Sequence, residues 1–218
     1  MRVDDDRVHR SGRRARWRRR LYRLCFVLLI LLVVDKTIDM TSDHAQVGRW
    51  VTVSGQQGYA SAYDKVWADL PAPTAVDDVR TEFGVVRVYA WTGSEVAGRV
   101  PVLLLPGRSS GSPMWAENLP DFIAERPVYA MDPIGDAGMS VQSAPLRSFA
   151  DIADWIDQAM HGVGIDQAHV VGHSFRGASA AALATHHPED VASLTLLEPV
   201  LTFGQVPFSA MLWATILT

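Results

Sequence analysis

The sequence predicts an α/β protein in which a mostly parallel sheet carries helices on both faces. Four short apolar runs are separated by longer stretches, and they lie at residues 102–105, 128–131, 169–171 and 194–197. Each run is too short for a helix and lacks the alternation of a half-exposed strand, which is typical of strands buried on both faces. Strand–helix–strand units in succession favour parallel pairing with right-handed crossovers.

Segments before and between these runs predict helices. Residues 59–70, 114–125 and 149–163 carry apolar side chains at helical spacing, and residues 175–187 are rich in Ala and end before a proline. Apolar residues recurring every three or four positions indicate an amphipathic helix. Ser148 directly precedes the third of these segments and is predicted to cap it.

An antiparallel strand pair is predicted at one edge of the sheet. Residues 79–83 and 85–91 are rich in β-branched and aromatic side chains, and they bracket Gly84. Two such runs on either side of a glycine indicate a β-hairpin. The hairpin precedes the four buried runs, so it is expected to open the sheet.

Charge is distributed unevenly along the 218 residues. A hydrophobic content of 48% and a mean hydropathy of +0.06 exclude a disordered protein. Residues 1–23 contain 10 Arg and 3 Asp, whereas the rest of the chain contains 10 basic and 21 acidic residues, a balance of −11. Nucleic acid is therefore excluded as a partner of the folded part, since phosphate neutralisation needs a basic face.

The basic segment leads directly into eleven unbroken apolar residues, 24–34, which include the sole cysteine, Cys25. A positive segment followed by an apolar one is the layout of a signal sequence. Eleven residues rise about 17 Å as a helix, short of the roughly 30 Å hydrocarbon core, and Leu21 and Tyr22 narrow that gap. We expect a membrane anchor at residues 24–34, with membrane contact extending over residues 21–34. The basic tail, residues 1–23, is expected to be cytoplasmic by the positive-inside rule.

Two alternatives stay open for this segment. One is a cleaved signal peptide, which would make the protein secreted, although no A-x-A-like site follows; the other is a buried core helix. With an uncleaved anchor, the protein is a single-pass cell-membrane protein whose C-terminal domain is extracytoplasmic. Residues 35–78 are expected to form a linker and an amphipathic helix, and residues 79–218 the α/β domain.

A serine lies on a short turn between the third apolar run and the helix that follows it. The turn reads GHSFRG, from Gly172 to Gly177, with Ser174 at its tip. A sharp strand-to-helix turn exposes the serine hydroxyl at the carboxyl edge of the sheet, and the helix N-terminus favours a developing oxyanion. This context is that of a nucleophile elbow, whose turn residues also include His173 and Arg176.

Two loops that precede this turn in the sequence also carry recognisable motifs. LLLPGRSSGS, residues 103–112, contains the end of the first apolar run, and DPIGDAGMS, residues 132–140, follows the second. Together with GHSFRG they make residues 79–200 resemble the α/β-hydrolase fold family. The resemblance implies that Ser174 is the nucleophile, and that the backbone N–H groups of Arg108 and Phe175 form the oxyanion hole.

The sequence departs from the family pattern at two places. Arg176 stands where G-x-S-x-G has its second glycine, and its side chain is expected either to distort the turn or to point into the mouth of the cleft. The chain also ends 44 residues after Ser174, so that the family's cap would begin at about residue 201 and its last strands would follow. The resemblance therefore implies a C-terminally truncated hydrolase without the loop that bears the catalytic histidine.

The seven histidines of the sequence are predicted to be structural or surface residues. His169 lies five residues before Ser174 on a strand, and His186 and His187 lie on the next helix, which places all three about 16–18 Å away. The side chain of His173 points away from its neighbour on an extended chain. None of them is therefore expected to deprotonate Ser174.

These features favour a serine hydrolase that cleaves a small-molecule ester or a lipid-like substrate through a Ser174 acyl intermediate. Glu198 ends the fourth apolar run, one strand over from the elbow, and is either the triad acid or a loop cap. No metal and no organic cofactor is expected, and the oligomeric state stays open. An acyltransferase of the same fold is indistinguishable in sequence. The alternative is a non-catalytic, membrane-associated binding protein, favoured by Arg176 and the missing histidine.

Overall fold

The computed structural model describes residues 17, 20–34 and 47–200. The chain divides into two compact units, Met1–His44 and Ala45–Thr218. In the first unit, helix α1 spans residues 20–34, and its apolar side chains are exposed. Within the described residues, every helix is too short or too polar to cross a membrane. The predicted linker and helix at 35–78 are described only from residue 47 onward.

The described part of the second unit, residues 47–200, is built on a mixed sheet of seven strands. Its strands are β1 (Ala75–Thr81), β2 (Gly84–Trp91), β3 (Val102–Leu105), β4 (Val128–Met131), β5 (Val141–Gln142), β6 (Ala168–His173) and β7 (Val191–Leu197). Their order is β1-β2-β4-β3-β6-β7, with β5 paired to β2. β3, β4, β6 and β7 are parallel, and the β1/β2 hairpin is antiparallel. The predicted α/β class and the predicted hairpin at the edge are confirmed.

Helices cover both faces of this sheet. They are α2 (Val53–Trp67), α3 (Leu119–Glu125), α4 (Phe149–Gly162) and α5 (Phe175–His186), with 3-10 turns at Ser94–Val96, Ser112–Trp115 and Pro188–Asp190. One core cluster lies between the sheet and α4 and α5, and it includes Leu103, Trp155 and Leu183. A second lies on the other face with α2 and α3, and it includes Tyr63 and Leu104. Residues from Ala45 onward belong to this compact unit, and the start of the α/β domain at residue 79 stays a prediction.

Two predicted helices have different bounds in the structure. The segment 114–125 is divided into a 3-10 turn and α3, because Pro120 lacks an N–H and is tolerated only in the first turn of a helix. Helix α2 begins at Val53 instead of residue 59, because the Thr52 side chain accepts a hydrogen bond from the Gly55 N–H at 3.0 Å and caps it. The predicted cap of α4 is confirmed, since the Ser148 hydroxyl accepts from the Asp151 N–H at 3.1 Å.

The last strand differs from the prediction in its exposure. β3 is buried at all four positions, as expected for a strand covered on both faces. β7 is longer than the apolar run, and Leu194 and Leu197 are 37% and 41% exposed. The expectation of burial on both faces is therefore wrong for β7. Within the described residues it pairs only with β6, so it lies at the end of the sheet.

A buried carboxylate, Asp132, links the elements around the carboxyl edge of the sheet. It is completely buried and follows β4. Its oxygens accept hydrogen bonds from the Tyr63 hydroxyl, from the N–H and hydroxyl of Ser112, and from the Met139 N–H, each at 2.7 Å. Burial and the nearby carboxylate raise the pKa of Tyr63, so its hydroxyl stays protonated as a donor. A Cβ at Gly138 would approach the Cβ of Asp132 to 2.7 Å, so this turn requires glycine.

Replacing Tyr63 with Phe is expected to lower the free energy of unfolding by about 1–3 kcal/mol, because a buried carboxylate oxygen loses a donor. Urea unfolding followed by circular dichroism measures the change. Tyr129→Phe is the control, since that half-buried hydroxyl makes no hydrogen bond to the described residues and its loss should cost less than about 0.5 kcal/mol. Equal effects of the two substitutions would contradict a special role for the carboxylate.

Candidate active site

The structure places Ser174 between the end of β6 and the start of α5, in a strained conformation. Its φ is 54° and its ψ is −121°, a region that residues with a Cβ rarely adopt. The Ser174 N–H donates to the Leu197 carbonyl at 2.9 Å. The Ser174 carbonyl accepts from the N–H groups of Gly177 at 3.0 Å and Val200 at 3.1 Å. Such strain persists only where surrounding bonds hold it, and it concentrates at functional sites.

Close packing around this turn explains its glycines. A Cβ at Gly172 would lie 2.5 Å from the Arg176 carbonyl oxygen, and one at Gly177 would lie 2.8 Å from the Cβ of Pro199. A Cβ at Gly107 would lie 2.5 Å from Nδ1 of His173. The loop after β3 is therefore in direct contact with the elbow. Gly172 and Gly177 need residues without a side chain, whereas a side chain at Gly107 would require the His173 ring to shift.

Two backbone N–H groups beside Ser174 have no hydrogen-bond acceptor within residues 47–200. They belong to Arg108, in the loop after β3, and to Phe175, the first residue of α5. In the loop after β3, the N–H groups on either side of Arg108 are paired: that of Gly107 donates to the Met114 sulfur at 3.3 Å, and that of Ser109 donates to Asp136 at 2.9 Å. The Phe175 N–H belongs to the first turn of α5, where backbone donors have no partner within the helix. Two backbone donors without a protein acceptor therefore lie beside Ser174.

Backbone strain is concentrated at this edge of the sheet. Within the described residues, the non-glycine residues with positive φ are Ser109 (58°), Ser174 (54°) and Glu198 (47°). They follow β3, β6 and β7, which are adjacent parallel strands, so all three lie at the carboxyl edge. Glu198 is exposed and lies one strand over from the elbow, at the place that the sequence predicts. Its carboxylate makes no hydrogen bond to the described residues.

The Arg176 side chain is buried and forms an ion pair. Its side chain is 6% exposed, and one guanidinium nitrogen lies 3.4 Å from Oδ2 of Asp136. Oδ1 of the same carboxylate accepts from the N–H groups of Ser109 at 2.9 Å and Ala137 at 2.8 Å. Burial lowers the pKa of Arg176 to about 10, with Asp136 opposing this shift and Arg108 adding to it. Through Asp136, Arg176 therefore links the first turn of α5 to the turn after β4 and to Ser109 in the loop after β3.

No histidine within residues 47–200 hydrogen-bonds to the Ser174 hydroxyl. His169 contacts Ser193 at 2.7 Å, His161 contacts Asp157 at 2.8 Å and His187 contacts Asp154 at 2.8 Å. The remaining described histidines are His173, whose Nδ1 is buried without a partner, and the exposed His186. His9 and His44 lie outside the described residues.

A cavity of about 630 Å³ opens beside the candidate oxyanion loop. Its walls include Trp50 and Tyr59 from the segment around the start of α2, Ser109 from the loop after β3, and Asp136 from the turn after β4. Burial and then Asp132 raise the pKa of Tyr59 to about 12, so its hydroxyl is neutral. Sequence reasoning missed this wall because it assigned residues 35–57 to a linker. The aromatic spacing of Trp50 and Tyr59 ahead of Tyr63 was the available signal.

Known proteins share this fold. Residues 100–215 match the family described as the alpha/beta hydrolase fold. The chain is 33% identical over 150 residues to the uncharacterized carboxylesterase nap of Bacillus subtilis, an alignment that covers 69% of this chain and 48% of the relative. It is 30% identical over 150 residues to the carboxylesterase YbfK of the same organism, covering 69% of this chain and 49% of the relative.

The fold also resembles a solved carboxylesterase. The crystal structure of carboxylesterase CesB (YbfK) from Bacillus subtilis superposes with a TM-score of 0.69 at 26% identity, and the match covers 76% of this chain and 57% of that one. The chain thus spans about half the length of the curated relatives it matches.

Arg176→Gly is expected to lower the free energy of unfolding by about 2 kcal/mol, although it restores the glycine of G-x-S-x-G. The substitution removes the partner of Asp136 and places a second glycine in the first turn of α5. Urea unfolding measures the loss, and the same substitution in an Asp136→Asn background should cost less because the pair is already broken. A neutral or stabilising result would show instead that Arg176 strains the turn.

Proposed function

This chain belongs to the α/β-hydrolase family, and on that basis we propose that it hydrolyses carboxylic esters of small molecules with Ser174 as nucleophile. The observation that carries the proposal is the strained serine flanked by two unpaired backbone N–H groups, those of Arg108 and Phe175. Both curated relatives cited above are named carboxylesterases, which supports an ester as the substrate.

In the proposed reaction the Ser174 oxygen attacks the ester carbonyl carbon. The carbonyl oxygen becomes an oxyanion, which accepts hydrogen bonds from the N–H groups of Arg108 and Phe175 at the positive end of α5. The serine proton passes to a base and then to the departing alkoxide, which leaves as the alcohol. Water hydrolyses the resulting acyl-serine to the carboxylic acid and restores the hydroxyl.

Two further roles follow from the positions of neighbouring groups. Glu198, exposed one strand over from the elbow, is proposed as the acid that would orient the base. The cavity of about 630 Å³ beside Ser109 is proposed to receive part of the substrate, with Trp50 and Tyr59 contacting its apolar portion. A small ester or a lipid-like ester has an apolar portion that such aromatic side chains can contact.

A fluorophosphonate should modify Ser174, and mass spectrometry should locate the adduct. The rate should be slow at pH 7 and rise roughly tenfold per pH unit up to pH 9, because no described histidine contacts the hydroxyl and hydroxide must remove its proton. Ser174→Ala should abolish the reaction, while Ser193→Ala, which removes an exposed serine of β7, should leave it unchanged.

Failure to modify Ser174 at pH 9 would contradict the proposed nucleophile. That outcome would favour the second candidate function, a binding protein on the hydrolase fold, which draws support from the absence of a described histidine at the serine. A rate that levels off near pH 7 would instead identify a histidine outside the described residues as the base.

We also propose that the first unit attaches the protein to a membrane, with the second unit extracytoplasmic. The support is the Arg-rich sequence of residues 1–23 and the exposure of the apolar side chains of α1, residues 20–34. Expressed in a bacterium, the full chain should sediment with membranes and resist carbonate extraction, and deletion of residues 1–35 should release it. A full-length chain found in the soluble fraction would overturn this attachment.

A further inference from the structure

A second cluster of polar side chains lies at the opposite edge of the sheet from Ser174. It consists of Asp157 on α4, His187 directly after α5, and Asp190 in the turn before β7. Helices that connect parallel strands end near the start of the next strand, so these residues share the amino edge. One donor atom from each of the three lies within 4.8 Å of the others. We call these residues the amino-edge cluster.

Asp190 is the most deeply buried residue of the amino-edge cluster. It is 2% exposed, and its Oδ2 has no hydrogen-bond partner. A buried carboxylate oxygen without a donor is costly, and such groups are found paired with cations or bound to metal ions. The polar atom therefore faces a second carboxylate where a positive charge is required.

The ring of His187 is oriented by a residue next to the cluster. Its Nε2 lies 2.8 Å from Oδ1 of Asp154, and its Nδ1 lies 4.0 Å from Oδ1 of Asp157. With Nε2–H donated to Asp154, the lone pair of Nδ1 is available on the side of the cluster. A carboxylate that holds the far nitrogen of a histidine is the usual support of a metal-bound imidazole. His161 in turn contacts Asp157 at 2.8 Å.

We propose that Asp157, His187 and Asp190 bind one divalent transition-metal ion, such as Zn²⁺ or Mn²⁺. One imidazole nitrogen and two carboxylate oxygens suit these ions, whereas Ca²⁺ and Mg²⁺ prefer oxygen donors throughout. The side chains of Asp157 and His187 are 22% and 23% exposed, so water can complete the coordination. The ion would join the ends of α4 and α5 to the start of β7. The proposal is independent of the chemistry at Ser174.

Metal titration of the full chain tests the site. After dialysis against EDTA, calorimetric titration with ZnCl₂ or MnCl₂ should show that the wild type binds one ion. This binding should be lost in Asp190→Asn and in His187→Gln. His169→Gln, which removes another histidine of the same sheet edge, should retain it. Because binding to the folded state alone is stabilising, an ion at 100 times its Kd should raise the Tm of the wild type by about 5 °C or more.

Cobalt absorption separates binding from folding. Co²⁺ in a site with nitrogen and oxygen donors gives visible d–d bands, which should appear in the wild type and in His169→Gln and vanish in His187→Gln at the same far-ultraviolet circular dichroism. Equal metal affinity in wild type and Asp190→Asn would overturn the proposal. A wild type that binds none of these ions would overturn it as well. Stabilisation by Asp190→Asn would then indicate that the carboxyls of Asp157 and Asp190 share a proton.

Discussion

A buried carboxylate needs a donor for each of its oxygens, and Asp132 obtains its donors from three separate elements. They are α2, the turn after β3 and the loop after β4. If one of these elements moved, a buried oxygen would lose a hydrogen bond. The loop that carries Arg108 is thereby held at both ends, by β3 and by Ser112. The position of the Arg108 N–H therefore depends on this restraint and on the hydrogen bond from the neighbouring Ser109 N–H to Asp136.

The second acid of the same turn, Asp136, has the opposite environment. The Asp136 carboxylate accepts hydrogen bonds from two backbone N–H groups and forms an ion pair with the Arg176 guanidinium at the edge of the cleft. This explains how the elbow accommodates Arg176 where the family pattern has glycine. The backbone of Arg176 stays helical in α5, and the crowded positions are Gly172 and Gly177, which remain glycine. The Arg176 side chain extends away from the turn, toward Asp136.

Local pattern was sufficient for much of the fold. The runs that became β3 and β4 were predicted to the residue, because four buried apolar residues between breakers admit few other structures. The place of Ser174 followed from the strand, turn and helix around it. Long-range pairings were out of reach: nothing in the spacing shows that Arg176 meets Asp136, 40 residues earlier.

The misassigned parts have the same origin. The burial of β7 depends on which elements pack against it, and the apolar residues of the strand do not show which elements these are. The start of α2 was missed because Thr52 caps a stretch whose apolar periodicity is weak. The three residues of the amino-edge cluster are brought together only by the packing of α4 against α5, since Asp157 precedes the other two by 30 residues or more.

The conformation of Ser174 has a consequence for how the protein is made. Its strained φ is maintained by the carbonyl of Leu197 and the N–H of Val200, which are synthesised more than twenty residues later. Until those residues have left the ribosome and β7 has docked, the GHSFRG segment has no reason to leave an ordinary relaxed turn. The strained geometry is thus a late event in the biogenesis of this unit, and Ser174 of the nascent chain lies in a relaxed turn.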